Sequence, residues 1–100
     1  METLIGWTIT VVAYARTFDE AQEISQNTLP DLSANYPPCQ VLAGGNKGLF
    51  CVNKKLEVTE KTKDKISQDL KVRLRAEPRV VEFAILVGKK TRKPFIETKR

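Results

Sequence analysis

Residues 4–25 read LIGWTITVVAYARTFDEAQEIS, a β-rich run followed at once by a helix start. Residues 4–15 are dominated by Val, Ile, Thr, Trp and Tyr and carry no helix cap, so they predict a strand. Side chains alternate along a strand. Ile5, Trp7, Ile9, Val11 and Ala13 share one face, and Thr8, Thr10, Val12 and Tyr14 share the other. The first face is the more apolar and is assigned to the core. Apolar residues on both faces predict a central strand. Thr17-Phe18-Asp19-Glu20 then has capping-box form, in which the hydroxyl accepts from the Glu20 amide and the carboxylate reaches back. Asp19, Glu20 and Glu23 suit the positive end of the helix dipole. Phe18, Ala21, Ile24 and Thr28 follow helical spacing, and Pro30 ends the helix near Leu29.

Working outward, residues 30–38 read as a loop. Residues 39–54 read as a hairpin around Gly44-Gly45-Asn46-Lys47-Gly48, whose glycines and asparagine supply positive-φ positions. Thr59 opens a second helix with Ile66, Leu70 and Leu74 as its apolar stripe, and Pro78 marks its end. Lys61, Lys63 and Lys65 fall on its polar side. Residues 80–87, VVEFAILV, predict a strand, residues 88–93 a basic turn, and Pro94–Glu97 an added short edge strand. The order β-α-β-β-α-β predicts an α+β, ferredoxin-like sandwich: an antiparallel sheet with two helices on one face. The chain reads as one domain, 1–100, with a basic segment at 88–100.

Composition agrees with one globular domain: 100 residues, 41% hydrophobic and 29% charged. The absence of histidine removes Ser-His-Asp and Cys-His catalysis and leaves a poor zinc ligand set. Cys39 and Cys51 read as small apolar core residues, with one disulfide as the alternative. The uncharged run 4–15 lacks the basic start of a secretory signal and is too short to span a bilayer, so a cytoplasmic protein is expected. Acid–base chemistry would have to come from Asp19, Glu20, Glu23 or Glu82. The first three are explained by the helix start, and no phosphate loop or cofactor motif is found. A non-enzymatic binding protein is expected.

Lys47-Gly48-Leu49-Phe50-Cys51-Val52-Asn53-Lys54 is similar to the signature of RNA-recognition domains at Lys47, Gly48 and Val52. That family stacks bases on aromatics of its two central strands. Leu49, Cys51 and Lys54 occupy aromatic positions here, so no stacking platform is implied and membership is not assigned. The element order also resembles that of small peptidoglycan-binding domains of bacterial division sites, without a distinguishing motif.

Charge is uneven. Residues 1–50 hold two basic and five acidic side chains, net −3, whereas residues 51–100 hold fifteen and seven, net +8. Lys89, Lys90, Arg92 and Lys93 are the leading phosphate-contact candidates, with Arg73, Arg75 and Arg79 extending the patch. The first functional expectation is nucleic-acid association, DNA or RNA, through these residues; an acidic protein would use the same charges. The alternative is a protein-interaction or inhibitor module using an edge strand or the open sheet face. Val12, Val80 and Leu86 would form an apolar patch there and favour a homodimer or another protein. Periodicity leaves open whether Phe95 and Ile96, or the Tyr36 loop, cover that patch.

Overall fold

The computed structural model describes residues 3–34 and 36–92, with side chains for 5–34 and 36–91. Strand β1 spans Thr3–Ala15. Ile9, Val11, Ala13 and Ala15 are fully buried, while Ile5 near the strand's start is exposed. β1 pairs antiparallel on both sides, with β4 (Phe50–Val58) and β5 (Glu82–Arg92), and is therefore central.

Helix α1, Phe18–Glu23, starts as its cap predicts: Thr17 Oγ1 accepts from the Glu20 N–H at 3.1 Å. The same hydroxyl also donates to the Glu20 carboxylate at 3.3 Å. The helix then widens into a π-helical turn, Ile24–Thr28, closed by the Leu29 N–H on the Ile24 carbonyl at 3.0 Å. Pro30 follows, so the end falls where expected although the π turn itself was not.

The segment read as a loop contains a short strand, β2, at Ser33–Ala34, and β3 follows at Cys39–Gln40. Both pair antiparallel with β4, β2 at Lys54–Lys55 and β3 at Phe50–Cys51. Pro37 and Pro38 lie between them and have no N–H to give a ladder, which divides this edge in two. The hairpin turn falls where predicted, with positive φ at Gly44 and Gly48 but not at Asn46. Val41 N–H donates to Leu49 O at 2.8 Å and Gly48 N–H to Val41 O at 2.9 Å. Gly44 and Gly48 take φ of 89° and 91°, where a side chain would be strained.

Helix α2, Lys63–Arg75, begins later than Thr59. Thr59 and Thr62 form a turn first, with the Thr59 N–H donating to Thr62 Oγ1 at 3.2 Å. Leu70 and Leu74 are buried and Ile66 packs beside them, as the stripe predicts. They share one cluster with Ala21, Ile24, Leu29, Val52 and Ile9, Val11, Ala13 and Ala15 of β1, so both helices pack on the same sheet face. Each fully buried Leu or Ile contributes roughly 1.5–3 kcal/mol.

Among the described residues the architecture is an α+β fold with an open, five-stranded antiparallel sheet and two α-helices, the first running on into a π turn. The strand order is β2-β4-β1-β5, with β3 also on β4. This differs from the six-element expectation by the extra strand on the β4 edge. The last strand also differs. It starts at Glu82, not Val80, and runs through Lys89, Lys90 and Arg92, where a basic turn was expected. Leu4 and Trp7 of β1 supply ladder partners to Thr91 and Lys89. Lysines are well tolerated on an edge strand, with aliphatic stems on the sheet and amines in water. Lys93 and the expected strand Pro94–Glu97 lie outside the described residues.

Candidate functional site

Alternation distributes the basic residues of β5 to opposite faces. Lys89 stands opposite Trp7 in the register of the helix-covered face, and Lys90 opposite Gly6 on the open face. The Lys90 amine is ion-paired with Glu57 of β4, and Lys89 is exposed. Arg92 closes the strand.

Arg73 and Arg75 at the end of α2, and Arg79 just beyond it, lie toward the other end of the sheet, where β5 begins. Glu82, which opens β5, is seven strand residues from Lys89, roughly 23 Å. Arg73 donates to Asp31 at 2.9 Å and to the Thr28 carbonyl at 3.0 Å. Arg79 grips Glu77 with a two-pronged contact, Nε to Oε2 at 2.8 Å and Nη2 to Oε1 at 2.9 Å, and reaches Glu23 at 3.4 Å. Thr28 Oγ1 donates to the same Glu77 carboxylate at 3.1 Å. The Arg79 guanidinium holds the Glu77 carboxyl down at about 2. These contacts tie the π turn to the end of α2 around a cleft of about 530 Å³ lined by Thr28, Asp31, Arg73 and Glu77. Its one lining cation, Arg73, is paired with Asp31, and Glu77 is held by Arg79 from outside the lining, so the cleft is a junction between elements. Arg75 is exposed and makes no ion pair among the described residues. The single basic patch of the sequence reading is thus two separated groups, and three of its members already have carboxylate partners.

Sequence reasoning missed Lys54. Its side chain is 5% exposed and lies on the helix-covered face, opposite Val11. Its amine donates to the carbonyls of Ser25 and Leu29 at 2.6 and 2.5 Å. Burial lowers its affinity for a proton, and Asp31 partly restores it. The available signal was the alternation Val52, Lys54, Leu56, Val58, which places a lysine in an apolar row. Lys63 was also assigned to a polar side, yet its amine lies 4.7 Å from the centre of the Trp7 ring, a cation–π contact.

The open sheet face is built from even-numbered residues of β1 and their partners. Val12 lies between Asn53 and Ala84, Thr10 between Lys55 and Leu86, and Tyr14 between Cys51 and Glu82. Val12 is half-buried and Leu86 is 61% exposed. The pairing of Val12 with the Leu86 row is therefore as expected. Val80 is not part of it: it precedes β5 and packs against the core. Tyr36 is 75% exposed, so its side chain is not folded down as a cover. Phe95 and Ile96 lie outside the described residues. The two cysteines are not core residues either. Cys39 is exposed and Cys51 half-buried, opposite each other at this face's edge.

β5 has β1 on one side and, among the described residues, no strand on the other. Its middle is apolar, with Leu86 and Val87 61% and 40% exposed. Among the described residues no group of His, Cys, Asp and Glu is arranged to hold a metal ion, and no helix is long and apolar enough to cross a membrane. No protein-family model, curated protein or solved structure matches the chain.

Proposed function

We propose that this chain acts by binding, as a protein-interaction module that offers the outer edge of β5 and the adjoining open face to an extended strand of a partner. One observation carries this reading. An eleven-residue strand with an apolar, exposed centre has, from Glu82 to Lys90, no strand beside its outer edge among the described residues. Such an edge is a template for strand addition, in which main-chain hydrogen bonds give affinity and alternate side chains give specificity. The reading is tested by capture from a cell extract on the immobilised full chain. Capture should resist nuclease, survive Lys89→Glu and disappear with Leu86→Lys. Capture that is lost to nuclease or to Lys89→Glu overturns it.

The second reading is nucleic-acid association, favoured by the net charge of +8 on residues 51–100 and by the exposed Lys89 and Arg75. An acidic protein would use the same cations. Fluorescence anisotropy with short DNA and RNA probes at roughly 50 and 200 mM salt decides it. Steeply salt-dependent binding that falls in the Lys89→Glu, Arg75→Glu variant supports this reading, and no binding at the lower salt overturns it.

A ferredoxin-like kinship of the fold is supported by the place of β1 between β4 and β5 with a helix in each half of the chain. Taking β2 and β3 as one interrupted strand restores the six-element order.

A further inference from the structure

We propose that the strand added to β5 is β5 of a second copy, paired antiparallel about a twofold axis at Leu86; this rests on the interaction reading above. Residues directly opposite each other in an antiparallel ladder share a face. Self-pairing about a twofold therefore places one residue opposite its own copy. Centred on Leu86, the register sets Ile85 opposite Val87 and Ala84 opposite Gly88. It also sets Glu82 opposite Lys90, once at each end.

This register pairs the apolar middle with itself and gives each end a Glu82–Lys90 contact on the open face, with Phe83 opposite Lys89 on the other face. Centring on Val87 sets Glu82 opposite Arg92 but places two residues of the apolar middle, Ile85 and Ala84, opposite Lys89 and Lys90. Centring on Ile85 sets Glu82 opposite Gly88 and leaves both lysines without a carboxylate. Glu82 is exposed and makes no ion pair among the described residues, so its charge is available to a partner. Lys90 would sit between Glu57 of its own sheet and Glu82 of the second copy. Leu86 and Val87, on opposite faces, would both be covered. Opposite charges and apolar pairs across strands are favourable, and like charges directly opposite are not. Closed twofold pairing also removes the open edge in both copies.

The test uses the full chain in solution. Light scattering with size exclusion at micromolar concentration should give twice the chain mass of 11.3 kDa. Leu86→Lys places two ammonium groups face to face and should weaken association on the order of a hundredfold. The register is read in a Cys39→Ser, Cys51→Ser background. Leu86→Cys should cross-link to its own copy under a copper–phenanthroline oxidant with dissolved oxygen: two thiols give up two protons and two electrons, and one S–S bond forms. Ala84→Cys, which faces Gly88, should not. A dimer with that pattern supports the proposal. A dimer in which Ala84→Cys cross-links as readily overturns the register. A monomer that still captures protein through Leu86 overturns self-pairing and leaves the interaction reading standing. A monomer that captures nothing overturns both.

Discussion

Cys39 and Cys51 stand directly opposite each other in the β3–β4 ladder, both as free thiols. Opposed residues in such a ladder have Cα atoms about 4.5–5.5 Å apart, within the roughly 4.4–6.8 Å that a disulfide spans. A dithiol oxidant such as diamide should therefore join them. Burial, helped by the neighbouring Cys39, pushes the Cys51 thiol above its ordinary value of 9.0, so the reactive thiolate is scarce at neutral pH and the rate should climb with pH. Thiol labelling and loss of the two thiol hydrogens by mass spectrometry report the reaction. The closed loop should add about 2–3 kcal/mol of stability. Unchanged labelling of both thiols after oxidation at pH 9 would count against the opposed geometry.

Lys54→Met should cost about 1–3 kcal/mol, because it strips the donor from two carbonyls held away from water. Urea unfolding measures it. The pH dependence has an unusual sign. The folded protein holds the Lys54 proton less tightly than the unfolded chain does. Between the lowered folded value and the ordinary 10.5, the unfolded state binds more protons, so stability rises with pH. Wild type should gain on the Met variant across that window, and parallel curves would contradict the burial of the charge.

Glu77 works in the opposite pH range. Its carboxyl is lowered from the usual 4.5 to about 2 by Arg79 first and by Thr28 to a lesser degree. The unfolded chain therefore takes up this proton first as pH falls. The stabilisation is complete above about 4.5 and is lost on the way down to about 2. Glu77→Gln should cost on the order of 1 kcal/mol at neutral pH, since the site is partly open to solvent screening. It should also flatten the acid-unfolding curve between those two values. A variant as acid-sensitive as wild type would show that this contact is not what the protein loses in acid.

Leu70→Ala and Leu86→Ala should separate cleanly. Leu70 is 1% exposed and its truncation should cost about 2–5 kcal/mol, whereas Leu86 is 61% exposed and its truncation should stay within about 0.5 kcal/mol. Thermal or urea unfolding under conditions where the chain is monomeric gives both. Any effect of Leu86 on association is then an effect on the surface, not on folding.

The parts of the fold legible in the sequence are those with a periodic or capping signal. The alternation in residues 4–15 gave the central strand and its buried side. Thr17 with Glu20 marked the start of α1, Leu70 and Leu74 the buried stripe of α2, and Gly44 with Gly48 the hairpin. Less legible were features that depend on what lies across the sheet. Gly88-Lys89-Lys90 has turn-like composition, yet β1 extends far enough to hold it in a strand. A run of lysines also looks like one patch in a sequence, whereas a strand sends its neighbours to opposite faces. Arg73 and Arg79 find their carboxylates at Asp31, Glu23 and Glu77, and only the Glu77–Arg79 pair is close in sequence. Val12 and Leu86 share a face because alternation holds along each strand and the β1–β5 register aligns them, whereas Val80, of the same parity, lies before β5 begins and packs against the core.

The amine of Lys54 also bears on how the sheet chooses one alignment. Sliding β4 along β1 by two residues would keep Val52, Leu56 and Val58 on the core side, because alternation repeats every two positions. Hydrophobicity is nearly blind to that slip. The buried ammonium is not: about 6.6 Å along the strand it would leave the carbonyls of Ser25 and Leu29 behind, at a cost of several kcal/mol for a buried charge without acceptors. One lysine in an apolar row thus works as a key, rejecting frame-shifted sheets that the rest of the strand would accept.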